Sequence, residues 1–178
     1  ETNRRAIPWL DSVDSPFFLW VHYFDPHGPY ISPGHPPPPY DTLFSSDEDL
    51  RPYMEERDFS TTVKGRNIGI EESSRIGNLY DGSVRLMDEA LGGLLESLMT
   101  RDDWDNTGLV VTSDHGQGLG QHDFGAHGLV WGEHLRTPLI IRAPGEQPRR
   151  LEQLLSTVDV IPTLLSLMPR LDSQDFLE

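Results

Sequence analysis

The chain has 178 residues, 24 % of them charged, and its 29 acidic against 14 basic residues give a formal net charge of −15 at pH 7. This composition is typical of a globular domain, and the acidic excess argues against nucleic acid as a partner, because phosphate backbones are bound by clustered lysine and arginine. The lack of cysteine excludes disulfides and thiolate metal sites, and the longest apolar run, FFLWV at 17–21, is too short to predict a membrane span.

The N-terminal part combines a short apolar run with a long proline-rich and acidic stretch. Residues 1–13 are consistent with the end of a helix. The run SPFFLWVHYF at 15–24 is predicted to form a buried strand, because it is short, aromatic and bounded by prolines. The stretch 25–75, rich in proline and then in acidic residues, is predicted as an insertion over a site. A polyproline segment at 36–39 that binds a partner domain is the alternative.

A long amphipathic helix is predicted next. Apolar residues recur at spacings of three and four from Ile76 to Leu98, a period that indicates one buried face over roughly six turns. Gly92 and Gly93 lie inside this helix, where each costs about 1 kcal/mol relative to alanine. Their presence predicts a close approach of another backbone at that point.

Two further apolar runs and a closing helix complete the predicted fold. The segments LVVTSD at 109–114 and TPLIIRAPG at 137–145 are predicted as buried strands. The helix at 156–168 is predicted to begin with a capping box of Ser156 and Asp159. Because the strands are continuously apolar and alternate with helical segments, an α/β sheet covered on both faces is expected.

Asp114 and His115 are the most suggestive polar pair in the sequence. They end a predicted strand and are followed at once by Gly116. Ligands in open α/β sheets collect beyond the carboxyl ends of the strands. A carboxylate oxygen beside an imidazole nitrogen suits a divalent cation. From local features alone, a turn-capping aspartate and a surface histidine explain the pair equally well.

Two other histidines are placed where they could join such a site. His27 follows the first predicted strand by three residues, which puts it at the same edge of the sheet. Its alternative is a loop histidine ordered by flanking prolines. His127 is flanked by small residues that let a ligand come close. Arg136, which leads into the last predicted strand, is expected to pair with an acid such as Glu133.

Two common catalytic patterns do not fit this sequence. The glycines at 116, 118 and 120 are spaced G-x-G-x-G, and no helix N-terminus is predicted after them to bind a pyrophosphate. The G-x-S-x-G elbow of serine hydrolases is not present in the chain. Nucleotide binding and serine-hydrolase chemistry are therefore not expected.

Five segments resemble, in their order, the sulfatases, a branch of the alkaline phosphatase superfamily. They are PFFLWVHYFDPHGPY, YDGSVRLMDEALGGLLESL, DNTGLVVTSDHGQGLGQHDFGAHG, GEHLRTPLIIRAPG and STVDVIPTLLSLM. The resemblance, which covers residues 4–169, implies an alkaline-phosphatase-like α/β fold, a three-layer sandwich with a mostly parallel sheet. It also implies that residues 1–178 are the C-terminal part of a sulfatase catalytic domain, an incomplete portion of that fold.

The same resemblance implies roles for five residues. Asp114 and His115 match the pair that ligates the family's divalent metal, in the first place calcium, with manganese or zinc as alternatives. His27 matches a histidine that contacts the sulfate. His127 matches a residue that contacts the sulfate or the leaving-group oxygen, and it is expected to act in catalysis together with His27. His122 lies in the intervening loop and is expected to line the substrate pocket.

The family's nucleophile has no counterpart in this chain. In sulfatases it is a formylglycine made from Cys or Ser in a C/S-x-P-x-R motif, and this sequence has no cysteine and no serine in that motif. The formylglycine and further metal-ligating aspartates are expected in an N-terminal part that precedes Glu1. The isolated chain is therefore expected to be inactive.

The activity implied for the parent protein is metal-dependent hydrolysis of a sulfate ester, carried by a small molecule or a saccharide. A phosphodiesterase, a phosphonate hydrolase or a phosphoglycerol transferase of the same superfamily is the nearest alternative, and the nucleophile distinguishes these from a sulfatase. A non-catalytic module that binds a partner through the proline-rich stretch is the alternative of another class.

Overall fold

The structure, a computed structural model, describes residues 1–28, 36–44, 70–123 and 127–167. The predicted insertion at 25–75 therefore lies largely outside the described residues. Within these ranges, the elements in chain order are α1 (Thr2–Ser12), α2 (Ile70–Met99), β1 (Leu109–Thr112), α3 (Gly132–Leu135), β2 (Leu139–Arg142) and α4 (Val160–Leu167). Short 3₁₀ turns occur at Trp104–Asn106, Gln121–Asp123 and Thr157–Asp159.

The main core lies where α1 packs on the C-terminal half of α2. The predicted amphipathic helix is confirmed as α2, which begins six residues before Ile76. Residues 1–13, where the end of a helix was expected, contain α1. The buried side chains that join the two helices are those of Ala6, Leu10, Leu94 and Leu98.

The run at 15–24 is not the buried strand predicted from its apolar character. Alternate side chains pack against the core, among them Phe17, Leu19, Val21 and Tyr23. Their neighbours Phe18 and Trp20 are each 75 % exposed. In the part of the chain that the structure describes, the only sheet is formed by β1 and β2, so this run is extended without a ladder partner. Only one of its faces is covered, by the helices.

β1 and β2 lie where the other two strands were predicted, but they are neither buried nor parallel. None of their residues is buried, and Ile140 is 62 % exposed, so the sheet is not covered on both faces as expected. The two strands pair antiparallel, with Leu109 opposite Arg142 and Thr112 opposite Leu139. Parallel strands need a crossover connection of a dozen or more residues, usually a helix. The connection from β1 to β2, residues 113–138, is long enough for a crossover, but its described residues form the glycine-rich loop and the four-residue helix α3 instead of a long crossover helix. The chain returns through this loop, and the two strands run in opposite directions.

The close backbone approach expected at Gly92 and Gly93 is found elsewhere on α2. Among the described residues, no atom outside the backbone of the helix itself lies within 4 Å of a Cβ placed on Gly92, and on Gly93 only the Asn3 side chain does, at 3.5 Å. A Cβ on Gly82 would instead clash with the backbone carbonyl of Tyr40. The segment 36–44 therefore packs on the middle of the helix, and the approach occurs there.

The C-terminal helix begins as predicted. The Ser156 N–H donates to Asp159 Oδ2 at 2.9 Å, and the two residues form a capping box. None of the helices within the described ranges combines the length and apolarity required to cross a bilayer.

Candidate active site

Asp114 and His115 follow β1 directly and lie beside each other. The His115 N–H donates to Asp114 Oδ1 at 3.0 Å, and His115 Nε2 lies 3.7 Å from Asp114 Oδ2. His115 Nδ1 lies 2.8 Å from the carbonyl oxygen of Gly116. Because a carbonyl oxygen only accepts, the neutral ring carries its proton on Nδ1. The Nε2 lone pair of His115 and a carboxylate oxygen of Asp114 are therefore neighbouring donors for a cation.

These two residues supply part of a metal site. The side chain of Asp114 is 81 % exposed and so accessible to an ion. A divalent cation of the calcium type takes six or more ligands. Within the described ranges, His, Cys, Asp and Glu side chains form no group of three or more that could hold a metal. The donor chemistry of the pair fits a cation, and the pair needs further ligands to complete the site.

Three of the histidines singled out in the sequence form one row of rings. His115 stacks on His127 with ring centroids 4.1 Å apart and an interplanar angle of 27°. His127 contacts His27 edge-on, with centroids 5.2 Å apart. Phe24 lies on His27, with centroids 4.7 Å apart. The structure thus brings His27, which lies in the N-terminal part, to the loop that follows β1.

Hydrogen bonds orient two of these rings. His27 Nδ1 lies 2.6 Å from the carbonyl oxygen of Gly28, and His127 Nδ1 lies 3.1 Å from Gln117 Oε1. Both oxygens accept, so both nitrogens donate. Sequence reasoning missed Gln117 as a residue of this site. The only signal was its position between two glycines, two residues after His115.

His122 contacts a different set of side chains. Its Nδ1 lies 2.7 Å from Glu133 Oε1, and its ring stacks on Trp131 with centroids 4.4 Å apart. The hydrogen bond that the carboxyl of Glu133 accepts from its own backbone N–H, followed by the one from His122, lowers the pKa of Glu133, although burial opposes this. The predicted pairing of Glu133 with Arg136 is wrong, because the carboxylate contacts His122 instead.

Gly116 joins the Asp114–His115 turn to α3. Its N–H donates to the carbonyl oxygen of His134 at 2.8 Å, and a Cβ at this position would clash with the carbonyl oxygen of Glu133. The lack of a side chain is therefore required for this contact. It places the backbone of Glu133 directly against the residue that follows His115.

Comparison with known proteins gives the family of this chain. The Sulfatase family model matches residues 3–170. A protein named arylsulfatase from Clostridium perfringens is 30 % identical over 93 % of the chain and 38 % of its own length. An endo-4-O-sulfatase from Bacteroides thetaiotaomicron is 31 % identical over 85 % of the chain and 28 % of its own length. The iduronate 2-sulfatase of Homo sapiens is 27 % identical over 100 % of the chain and 37 % of its own length.

The family match implies an α/β fold of the alkaline phosphatase type. The class of protein is therefore the alkaline phosphatase superfamily. Within that class, the chain belongs to the sulfatase family. It spans roughly a third of the length of these relatives, from 28 % to 38 %.

Proposed function

We propose that the protein containing this chain hydrolyses a sulfate ester with the help of a divalent cation. The observation that carries the proposal is the row of His27, His127 and His115 beside the carboxylate of Asp114. This row brings imidazole groups and a candidate metal ligand together within the part of the chain matched by the family model.

Asp114 and His115 are proposed to ligate the cation, with calcium in the first place and manganese or zinc as alternatives. When bound, the cation would help neutralise the charge of the sulfuryl oxygens. The turn of residues 114–116 is held in position by the hydrogen bond from Gly116 to His134. Further ligands and a formylglycine nucleophile are proposed to come from a part of the protein outside this chain.

His127 and His27 are proposed to contact the sulfate, and His127 also to protonate the leaving oxygen. Because Gln117 holds Nδ1 of His127 as a donor, the neutral ring has an acceptor at Nε2. A proton must therefore be added at Nε2 before His127 can act as a general acid. His27 lies between the tilted ring of Phe24 and the edge-on ring of His127, and these contacts restrict the orientation of its ring.

Residues 1–178 are proposed to form the C-terminal part of the catalytic domain, with 25–75 as an insertion. The complete domain is proposed to be a three-layer sandwich with a mostly parallel sheet, in which β1 and β2 are an antiparallel portion. The name of one of these relatives, iduronate 2-sulfatase, refers to a sulfated sugar acid, which supports a sulfated saccharide as the substrate. The three relatives are named as sulfatases, which supports sulfate esters rather than phosphate esters as substrates.

The test is an assay of the full-length gene product on sulfate and phosphate esters. We expect hydrolysis of a sulfated disaccharide or 4-nitrophenyl sulfate, loss of activity after removal of metal by EDTA, and recovery with Ca²⁺. His127→Ala should lower kcat by about 100-fold, as for loss of a general acid. Glu146→Gln, an exposed carboxylate paired with Arg149, is the control. Hydrolysis of phosphate esters alone, or activity that survives EDTA, would contradict the proposal.

A further inference from the structure

Three features fix the imidazole of His122: the hydrogen bond to Glu133, the ring contact with Trp131 and the backbone conformation of His122 itself. Glu133 Oε1 lies 2.7 Å from Nδ1, and the Glu133 side chain is 18 % exposed against 54 % for His122. The indole of Trp131 covers one side of the ring, at an interplanar angle of 27°. The carboxylate is thus sheltered, while the imidazole is partly open to solvent.

The backbone of His122 also adopts an uncommon conformation. Its φ of 57° and ψ of 29° place it in the left-handed region, which non-glycine residues rarely adopt. Such conformations persist where the surroundings hold them, and they cluster at functional sites. Here the hydrogen bond and the stacking contact hold the side chain in the direction that this backbone gives it.

The charge of Glu133 fixes where the proton of His122 lies. Because the pKa of Glu133 is lowered, first by its own backbone N–H and then by His122, the carboxylate accepts and cannot donate. Nδ1 of His122 therefore carries a hydrogen, and in the neutral ring Nε2 is an acceptor. An acceptor at Nε2 suits a hydroxyl group, which can donate a hydrogen bond to it.

The pair lies next to the turn that carries the proposed metal ligands. The carbonyl oxygen of Glu133 is so close to Gly116 that it leaves no room for a Cβ there, and Gly116 follows His115 directly. The residue that orients His122 therefore contacts the turn that is proposed to hold the sulfate.

We propose that Glu133 is a positioning residue that orients His122, so that Nε2 accepts a hydrogen bond from a hydroxyl of the alcohol part of the substrate. The pair then selects polyhydroxylated sulfate esters, such as saccharide sulfates, over esters whose alcohol carries no hydroxyl. This inference rests on the proposed sulfatase function.

The first test compares two substrates with the full-length enzyme. Glu133→Leu and His122→Gln are expected to raise KM for a sulfated disaccharide by about 3- to 10-fold, as for loss of a hydrogen bond between neutral groups. The loss of kcat/KM for 4-nitrophenyl sulfate, whose alcohol part carries no further hydroxyl, should be several-fold smaller than the loss for the disaccharide. Glu133→Gln keeps an oxygen acceptor for Nδ1–H and is expected to retain most of the selectivity. Equal losses on both substrates would overturn the proposed role in selectivity.

The second test asks whether Glu133 acts through His122. In the double variant, Glu133→Leu should add nothing to the loss caused by His122→Gln, because the residue to be positioned is gone. If the two losses multiply, Glu133 acts independently of His122 and the inference is wrong. Glu146→Gln, which lies outside the site, is the matched carboxylate control in both backgrounds.

A third measurement does not depend on activity. The ¹⁵N resonances of the His122 ring should show hydrogen on Nδ1 in the neutral state of the wild type and of Glu133→Gln, and should shift toward the other tautomer in Glu133→Leu. Hydrogen on Nε2 in the wild type would overturn the inference. If the wild type hydrolyses no sulfate ester, the proposed function and the selectivity fail together, and these resonances still decide whether Glu133 positions His122.

Discussion

At the scale of single residues, four histidines of the candidate active site share one arrangement, in which Nδ1 lies within hydrogen-bond distance of an oxygen acceptor. They are His27, His115, His122 and His127. The acceptors are two backbone carbonyls, the amide of Gln117 and the carboxylate of Glu133. In each case the acceptor determines the tautomer and leaves Nε2 as the nitrogen with the lone pair. The chain thus sets the chemical role of each ring by what lies beside Nδ1.

Gln117→Leu tests this arrangement at His127. Leucine has a similar size but cannot accept the hydrogen bond from Nδ1, so the ring loses the contact that orients it. We expect kcat of the full-length enzyme to fall by about tenfold, the effect of a lost hydrogen bond of roughly 1.4 kcal/mol, with little change in Tm. Gln153→Leu, at an exposed position, is the control. An unchanged kcat would show that Gln117 does not orient His127.

Asp103 gives a prediction for the pH dependence of stability. Hydrogen bonds from Arg101, and next from Ser15, lower the pKa of Asp103 from 3.8 to about 2. Since the pKa is lower in the folded state, the stabilisation is complete above the unfolded value and is lost as the pH falls from about 4 to about 2. Asp103→Asn should remove this dependence.

The measurement is urea unfolding of the chain and the Asp103→Asn variant from pH 6 to the lowest pH at which both stay folded. The difference in unfolding free energy should be constant above about pH 5 and shrink below about pH 4. Ser15→Ala, which removes the second donor, should give an intermediate curve. Parallel curves for the wild type and Asp103→Asn would contradict the assignment.

At the scale of elements, two glycines of α2 should respond oppositely to substitution by alanine. A Cβ at Gly82 would clash with the carbonyl of Tyr40, whereas nothing lies within 4 Å of a Cβ at Gly92. Gly92→Ala should stabilise the chain by about 1 kcal/mol through helix propensity. Gly82→Ala should destabilise it, because backbone atoms must move. Thermal unfolding of both variants checks this, and a stabilised Gly82→Ala would show that 36–44 does not pack there.

The elements themselves were predictable to different degrees. The 3.6-residue period between Ile76 and Leu98 specifies a helix and its buried face, so α2 follows from the sequence. The run at 15–24 has apolar residues at both odd and even positions, so composition alone cannot show that Phe18 and Trp20 are 75 % exposed. The direction of pairing between β1 and β2 is also not contained in either strand, because it depends on how the connecting loop returns.

For the site, the positions of Asp114, His115 and His27 after predicted strands indicated candidate residues, and the family resemblance implied their roles. Neither gave the contact between His122 and Glu133, which forms only because α3 folds back against Gly116. The pairing expected from the sequence, between Glu133 and Arg136, rested on nearness along the chain. In the folded chain the carboxylate contacts the imidazole instead, and this is the feature that carries the inferred selectivity.

At the scale of the whole molecule, the described residues leave a row of aromatic side chains uncovered. Phe18 and Trp20 are 75 % exposed and Phe24 is 66 % exposed, all on one side of an extended segment. Burying a side chain of this size stabilises an association by about 1.5–3 kcal/mol, and an extended segment without a ladder partner can pair with another chain. The 178-residue chain is therefore expected to associate.

Sedimentation velocity across a range of concentrations should show oligomers that dissociate on dilution. Trp20→Lys and Phe18→Lys should shift the distribution toward the monomer, because a charge on this surface opposes pairing. Val158→Lys is the control, because it introduces the same charge at an equally exposed position, 75 %, on the turn before α4. A smaller shift toward the monomer in Val158→Lys would show that the aromatic side chains, and not the added charge alone, drive association. A wild-type chain that stays monomeric at every concentration would mean that these aromatic side chains do not drive association, and the charge variants would then change nothing.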